Sequence, residues 1–239
     1  MNIAPPLSIK QIFVSIVILT GIPAQSIFAL EVPEPMVFDL VRGLDSKAGE
    51  LEINTLFMSP LNNDGTLEWA PEIEYAVADG VALEFEIPFK NSELEAYKFA
   101  GQYTLGETTN AIHGIQLIYE DFQNHNQSEY TALWLTGMAL SSKNTAMLMV
   151  GPRFTQGEDV DDMSELIFNA TLFHQMSNHL TLGLETNLAY HDNNDWNYLV
   201  MPQLHYELTK MYQLQFGVGA EFDNGSTTVV SSLRFIVEF

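Results

Sequence analysis

The C-terminal stretch V-V-S-S-L-R-F-I-V-E-F, residues 229–239, alternates between two kinds of side chain. One face of an extended strand would present, apart from Ser231, only apolar side chains: Val229, Leu233, Phe235, Val237 and Phe239. The other face would present a more polar set: Val230, Ser232, Arg234, Ile236 and Glu238. Because successive side chains of a β-strand point to opposite faces, the pattern predicts a strand with one lipid-facing row and one mostly polar row.

This alternation, ending in Phe239, resembles the closing strand of bacterial outer-membrane β-barrels. In those proteins the terminal segment is recognised during assembly into the membrane. The resemblance implies a transmembrane barrel in the bacterial outer membrane, in contact with lipid and lipopolysaccharide. It also implies recognition of the last strand by the barrel assembly machinery.

The N-terminus has the features of an export signal. Lys10 precedes an apolar run over residues 12–19, which is too short to span a bilayer as a mature helix. Gly21 and Pro23 interrupt the run, and we expect cleavage after Ala29, with Ser26 as the alternative. Residues 1–29 are therefore predicted to be a signal peptide. An uncleaved N-terminal anchor is the other interpretation.

Charge and composition exclude several classes of function. The formal net charge of the 239 residues is −22, and removal of residues 1–29 takes away Lys10 and no acid, which gives −23. Nucleic acid is not expected as a partner, because no Lys and Arg cluster is present to neutralise phosphates. The absence of cysteine excludes thiolate catalysis and cysteine-based zinc sites.

From Gly49 onward the chain is a series of segments with a period of two, separated by short clusters of Asn, Asp, Gly and Ser. The clearest pair, residues 66–77 and 81–89, flanks Asp79-Gly80, where glycine permits the positive φ of a tight turn. We predict about twelve strands, near residues 49–59, 66–77, 81–89, 94–105, 112–120, 130–140, 145–154, 165–174, 180–190, 198–208, 212–222 and 227–239.

An even number of strands and alternating short and long connections predict an all-β, antiparallel up-and-down barrel over residues 49–239. Residues 30–48 lack the strand period and contain Pro33 and Pro35, which favours a periplasmic lead-in. The alternative fold is a soluble β-sandwich, whose core the apolar rows would fill.

If the apolar rows face lipid, the other parity faces the lumen and is strongly acidic. Its cations are Lys90, Lys98, Arg153 and Arg234. Its acids are Glu50, Glu52, Glu68, Glu72, Glu74, Glu84, Glu86, Glu120, Glu165, Glu185, Glu207 and Glu221. An excess of carboxylates concentrates cations in an aqueous lumen, so a cation-preferring path for small solutes is one interpretation. A lumen filled by paired polar side chains is the other.

The residues expected to line the solute path are Glu72, Glu74, Glu84, Glu86, Arg153 and Arg234. The four glutamates lie two apart on adjacent strands, so their repulsion would raise some of their pKa values or recruit a divalent cation, unless they are simply solvated. We assign no metal site and no cofactor.

No catalytic residue is assigned either. His174-Gln175-Met176-Ser177-Asn178 resembles the His-x-Ser-Asn stretch of outer-membrane phospholipases, with one additional residue between His and Ser. A polar hairpin turn explains the same residues. We therefore do not expect the protein to be an enzyme.

The stretch Trp69-Ala70-Pro71-Glu72-Ile73-Glu74-Tyr75, followed by Asp79-Gly80, Leu83 and Ile87-Pro88-Phe89, resembles a hairpin of one barrel family. That family is the phenol-degradation-pathway (MetA-pathway) outer-membrane proteins. The likeness covers about twenty residues, with Ala76 where the family pattern has Gly. It implies an outer-membrane barrel with a transport role and assigns no functional residue.

Two functions follow from this sequence. The first is a passive outer-membrane channel for small solutes with an acidic lumen. The second is a closed structural or surface-interaction barrel. Residues 30–47 distinguish the two, because inward folding of this stretch would favour the closed barrel.

Overall fold

The computed structural model describes residues 32–38, 40–61, 65–124, 126–157, 163–191, 195–223 and 225–239. The predicted signal peptide lies outside these residues. All regular structure in the described part is β, in fourteen strand segments. They are β1 (Leu51–Pro60), β2 (Glu68–Ala78), β3 (Val81–Glu86), β4 (Phe89–Lys90), β5 (Glu93–Leu94), β6 (Ala96–Glu107), β7 (Ala111–Phe122), β8 (Gln127–Ala139), β9 (Asn144–Gly157), β10 (Met163–Gln175), β11 (Leu180–His191), β12 (Trp196–Glu207), β13 (Tyr212–Asp223) and β14 (Ser226–Glu238).

The sheet closes on itself. Each long strand pairs antiparallel with its neighbours, and β1 pairs with β2 on one side and with β14 on the other. Omitting the two-residue segments β4 and β5 from the fourteen leaves twelve barrel strands in the described residues. Closure satisfies the backbone groups that an open edge would expose, as a membrane-spanning sheet requires.

The predicted strands are confirmed, with ends displaced by no more than three residues. The predicted strand 81–89 is divided, because β3 ends at Glu86 and β4 begins at Phe89. Pro88, between them, has no amide N–H to donate to a ladder. Gly80 has φ +67°, as the tight turn between β2 and β3 predicts.

The orientation of the strands is also as predicted. On β14 the side chains of Val230, Ser232, Arg234 and Ile236 are buried inside the barrel, whereas Leu233 and Phe235 are exposed on the outside. Outward apolar side chains recur around the barrel, with Leu117 58% and Leu172 54% exposed. A soluble β-sandwich would bury these rows, so that alternative is wrong. No helix among the described residues is long and apolar enough to cross a membrane.

Residues 32–38 and 40–48, here called the inner segment, differ from the expected periplasmic lead-in. The side chains of Met36, Leu40 and Val41 are fully buried inside the barrel, and Leu44 is 3% exposed. The inner segment thus takes the inward course that the sequence left as an alternative. Apolar side chains in a stretch without strand period need a partner surface, and the lumen wall provides it.

Candidate functional site: the acidic lumen and its inner segment

Arg234 is the centre of the main polar cluster of the lumen. Its side chain is fully buried, and Nη2 lies 2.7 Å from Glu72 Oε1, 3.3 Å from Glu74 Oε1 and 3.8 Å from Glu52 Oε1. Its Nε donates to Asn54 Oδ1 at 3.0 Å. The closing strand therefore supplies the guanidinium that binds carboxylates of β1 and β2.

The other two predicted glutamates are adjacent to this cluster. In the β2–β3 ladder, Glu74 lies opposite Glu84, and Glu72 lies opposite Glu86. Lys98 of β6 binds both β3 carboxylates, at 3.1 Å from Glu84 Oε1 and in a close contact with Glu86 Oε2. Sequence reasoning placed Lys98 in the lumen but did not include it among the site residues.

Arg153 belongs to a separate group. Its Nε lies 3.6 Å from Glu129 Oε2, and its Nη1 lies 3.6 Å from Glu165 Oε2. Its guanidinium is also 6.0 Å from the ring centroid of Phe38 on the inner segment. The six predicted residues therefore form two groups, since five meet on β2, β3 and β14 while Arg153 is held by β8 and β10.

Hydrogen bonds attach the inner segment to the lumen wall. The amides of Met36, Val37 and Phe38 all donate to the carboxylate of Glu185, at 2.9, 3.2 and 2.9 Å. Further along, the amide of Val41 donates to Gln116 Oε1 at 3.3 Å. Gln102 Nε2 donates to Arg42 O, and Thr104 Oγ1 donates to Leu44 O, both at 2.6 Å. Wall side chains thus replace the backbone partners that a strand would have had.

Arg42 is a lumen residue that the sequence prediction missed. It forms a close ion pair with Glu52, and its guanidinium also lies 3.5 Å from Glu50 and 3.9 Å from Glu74. The available signal was its isolation, because it is the only Lys or Arg between residues 30 and 46. Arg42 therefore stands alone in a partly apolar stretch that precedes an acidic barrel, and the glutamates of that barrel are its natural partners.

The lumen also has an apolar sector beside its acidic one. Leu40 and Leu44 of the inner segment pack against inward-facing side chains of β8, β9 and β10: Leu133, Leu135, Met147, Met149, Ile167 and Phe173. Met36 packs separately against Leu199, Met201 and Val230. The sequence signal for this apolar sector is that residues 145–150 are mostly apolar on both faces of their strand. A strand buried on both faces has this pattern.

Three inward glycines make room for inner-segment side chains. A Cβ on Gly217 would lie 2.5 Å from Met36 Cε, and one on Gly114 would lie 2.5 Å from Leu44 Cδ2. At Gly137 the corresponding distance to Val32 Cγ2 is 3.3 Å. The lumen wall is therefore complementary in shape to the inner segment.

A cavity of about 430 Å³ remains beside the inner segment. It is lined by side chains of the inner segment and the wall, among them Glu34, Arg42, Glu52, Lys143, His205 and Glu238. These residues lie near the barrel end where both chain termini of the barrel meet, which is the periplasmic end in the predicted topology. The cavity therefore lies at that end of the lumen.

The histidine of the phospholipase-like stretch does not contact its serine in the described structure. His174 Nδ1 lies 2.7 Å from Asn144 Oδ1, while Ser177 lies in the exposed turn after β10 and its Oγ accepts from the amide of His179. The stretch is a polar hairpin turn. It gives no support to a catalytic pair.

Comparisons with known proteins agree with the barrel. The model of a family described as HAEPLYID-like matches residues 29–238. No curated protein matches the sequence. The phenol-degradation-pathway family, which the β2–β3 hairpin resembles, receives no support from these matches.

Solved structures with a similar fold are outer-membrane barrels of low sequence identity. A NanC porin has a TM-score of 0.63 and 12% identity, covering 79% of this chain and 98% of that chain. A KdgM porin has a TM-score of 0.63 and 13% identity, covering 79% and 99%. An outer-membrane channel from Pseudomonas putida F1 has a TM-score of 0.58 and 12% identity, covering 81% and 97%. At these identities the likeness establishes the fold.

Proposed function

Because this chain belongs to the HAEPLYID-like family and has the fold of outer-membrane porins, we propose that it is an outer-membrane channel for small solutes that prefers cations. The inner segment occupies part of the lumen and must shift for solutes to pass. The observation that carries the proposal is the excess of buried carboxylates on the inner wall.

The charge balance supports the preference for cations. Among the described residues, six glutamates are buried in the lumen, namely Glu52, Glu72, Glu74, Glu84, Glu86 and Glu185. Three cations contact members of this set in the described structure, namely Arg42, Lys98 and Arg234. A low-dielectric wall with excess negative charge lowers the potential in the lumen, which attracts cations and repels anions.

The same balance argues against polyanionic solutes. One solved KdgM structure with a similar fold is a complex with disordered oligogalacturonate, which is a polyanion. Carboxylates on the wall of this chain would repel such a solute. The shared fold is therefore no guide to the sign of the solute's charge.

A closed structural barrel is the second candidate, and the inner segment favours it. Met36, Leu40 and Val41 are fully buried, and Glu185 binds three consecutive amides of the segment. A segment held this firmly would obstruct the lumen. The two candidates differ in whether it can be displaced.

Planar-bilayer recording distinguishes them. The full-length mature protein and a variant that lacks residues 32–46 would be recorded in a KCl gradient. Discrete current steps with a reversal potential on the cation-selective side support the channel, with larger steps in the deletion variant. Absence of steps in both proteins supports the closed barrel, and anion selectivity contradicts the acidic-lumen account.

Export and assembly complete the proposal. Cleavage after Ala29 would release the mature chain, and the strand ending in Phe239 would be recognised by the assembly machinery. The ring of Phe239 is 63% exposed on the barrel surface, and its amide donates to Leu51 O at 2.9 Å. Lipid and lipopolysaccharide would then contact the outward apolar rows. Mass spectrometry of the mature N-terminus tests the cleavage site.

A further inference from the structure

We propose that Glu72, Glu74 and Glu84 form a binding site for one divalent cation of the Ca²⁺ or Mg²⁺ type. The site lies in the lumen wall, where β2 and β3 face the inner segment. It goes beyond the proposed channel function, because a cation would bind here whether or not the barrel conducts.

The three carboxylates are close enough to share an ion. One ligand oxygen from each of Glu72, Glu74 and Glu84 lies within 4.8 Å of the others. All three side chains are buried, with exposed fractions of 6%, 0% and 4%. Glu74 also forms a second group of this kind, with Glu34 of the inner segment and Glu52 of β1. Glu74 is therefore the residue common to both groups.

One oxygen of Glu74 has no hydrogen-bond donor. Oε1 accepts from Asn54 Nδ2 at 3.0 Å and from Arg234 Nη2 at 3.3 Å. Oε2 is buried and has no hydrogen-bond partner in the described part of the chain. Arg42 Nη1 lies 3.9 Å from it, which is beyond hydrogen-bonding distance. A buried carboxylate oxygen without a partner costs free energy, and a bound cation would supply the missing interaction.

The cationic side chains occupy other oxygens of the same carboxylates. Arg234 contacts Oε1 of Glu72 at 2.7 Å and Oε1 of Glu74 at 3.3 Å. Lys98 contacts Oε1 of Glu84 at 3.1 Å. Neither contact uses Oε2 of Glu74, which is the oxygen that the ion would bind.

Charge and ligand chemistry indicate the class of ion. The two carboxylate groups together with Glu86 contain six acids: Glu34, Glu52, Glu72, Glu74, Glu84 and Glu86. Arg42, Lys98 and Arg234 supply three positive charges to them, which leaves an excess of three negative charges. A divalent ion would neutralise two of these. Oxygen-only ligands select hard cations such as Ca²⁺ and Mg²⁺ over Zn²⁺ or Cu²⁺.

Calorimetric titration of Ca²⁺ into the chelator-treated, detergent-purified protein tests the site. We expect saturable binding of about one ion per chain, and at least tenfold weaker binding in Glu74→Gln. Glu165→Gln is the matched control, because the Glu165 side chain is largely buried in the lumen but pairs with Arg153 and belongs to neither carboxylate group. Its affinity should stay within threefold of the wild type.

Two results overturn the site. Non-saturable binding by the wild-type protein means that the carboxylates attract cations only as a diffuse charge. Equal losses in Glu74→Gln and Glu165→Gln also mean that binding depends on the overall charge and not on this site. Heat-modifiable gel migration checks that each variant is folded, and Glu84→Gln, with the same expected loss, replaces Glu74→Gln should the latter fail to fold.

Discussion

Met36 of the inner segment lies against Gly217 of β13, so closely that a Cβ on Gly217 would stand 2.5 Å from Met36 Cε. Met36 is fully buried at this contact. The same Cβ would also meet Met201 Sδ at 2.5 Å. Met36 therefore occupies the space that a side chain at position 217 would need.

Gly217→Leu should displace the inner segment. A leucine needs the volume that Met36 occupies, and crowding of this kind costs about 1–3 kcal/mol in a packed site. We expect a larger single-channel conductance than that of the wild type. Gly101→Leu is the control, since a Cβ there meets Leu83 Cδ2 at an ordinary 3.6 Å on the outer face. Unchanged conductance in Gly217→Leu would count against the inner segment as the obstruction.

Glu185→Gln should loosen the inner segment without altering the shape of the wall. The carboxylate accepts from three amides, and glutamine offers one acceptor oxygen in place of two. The loss of a charged acceptor shared by buried donors costs about 2 kcal/mol. Amide hydrogen exchange at residues 36–38 should accelerate by about thirtyfold, which is that free energy as a ratio.

Glu207→Gln is the control for this exchange experiment. Glu207 is half-buried and lies 3.3 Å from the exposed ring of His179, and in the described structure the amides of residues 36–38 donate to Glu185 and not to Glu207. Exchange at residues 36–38 should match the wild type in this variant. Equal protection in Glu185→Gln would show that the three hydrogen bonds do not hold the segment.

The double variant Glu84→Gln, Glu86→Gln should lower the cation selectivity of the open channel. Both carboxylates lie on the inward face of β3 and are buried, so they contribute directly to the potential of the lumen. The K⁺ to Cl⁻ permeability ratio should fall, and the difference from the wild type should shrink at high salt because of screening. Glu93→Gln, at an exposed position of β5, should leave the ratio unchanged.

Leu117→Arg should destabilise the folded barrel in lipid. Leu117 is 58% exposed in the middle of β7 and points outward, so the substitution places a charge in the hydrocarbon. The expected cost is about 2–4 kcal/mol near the bilayer midplane, measured by denaturant unfolding in vesicles. Leu140→Arg, in the turn after β8 and 55% exposed, should cost much less. Equal costs would contradict the outward orientation of Leu117.

The sequence predicted the barrel well because its evidence is repeated along the chain. Alternation such as that around Arg234 fixes which side chains face the lumen, and Asp79-Gly80 fixes the hairpin that aligns Glu74 with Glu84. Ladder register then aligns the four predicted glutamates with one another, and closure of β14 on β1 brings Arg234 to them. Arg153 could not be placed relative to them, since that depends on the circumference of the closed barrel.

The inner segment was harder to predict. Residues 32–48 have no period, and their course depends on the shape of a surface made by distant strands. The complementary features are single residues such as Gly217 and Glu185, which also fit an ordinary strand pattern. The sequence pattern predicts only a strand for Met147 and Met149, which form the apolar wall against which Leu40 and Leu44 pack.

A reversible cross-link between the inner segment and the wall tests the central claim most directly. Val32 Cγ2 lies 3.3 Å from the position of a Cβ on Gly137, and the chain contains no cysteine, so Val32→Cys with Gly137→Cys introduces a single disulfide. The segment continues directly into β1, so tethering Val32 fixes both of its ends inside the barrel. We predict small or absent currents for the oxidised protein and larger, cation-selective currents after reduction. Equal currents in the two states would contradict a channel obstructed by its own N-terminal segment.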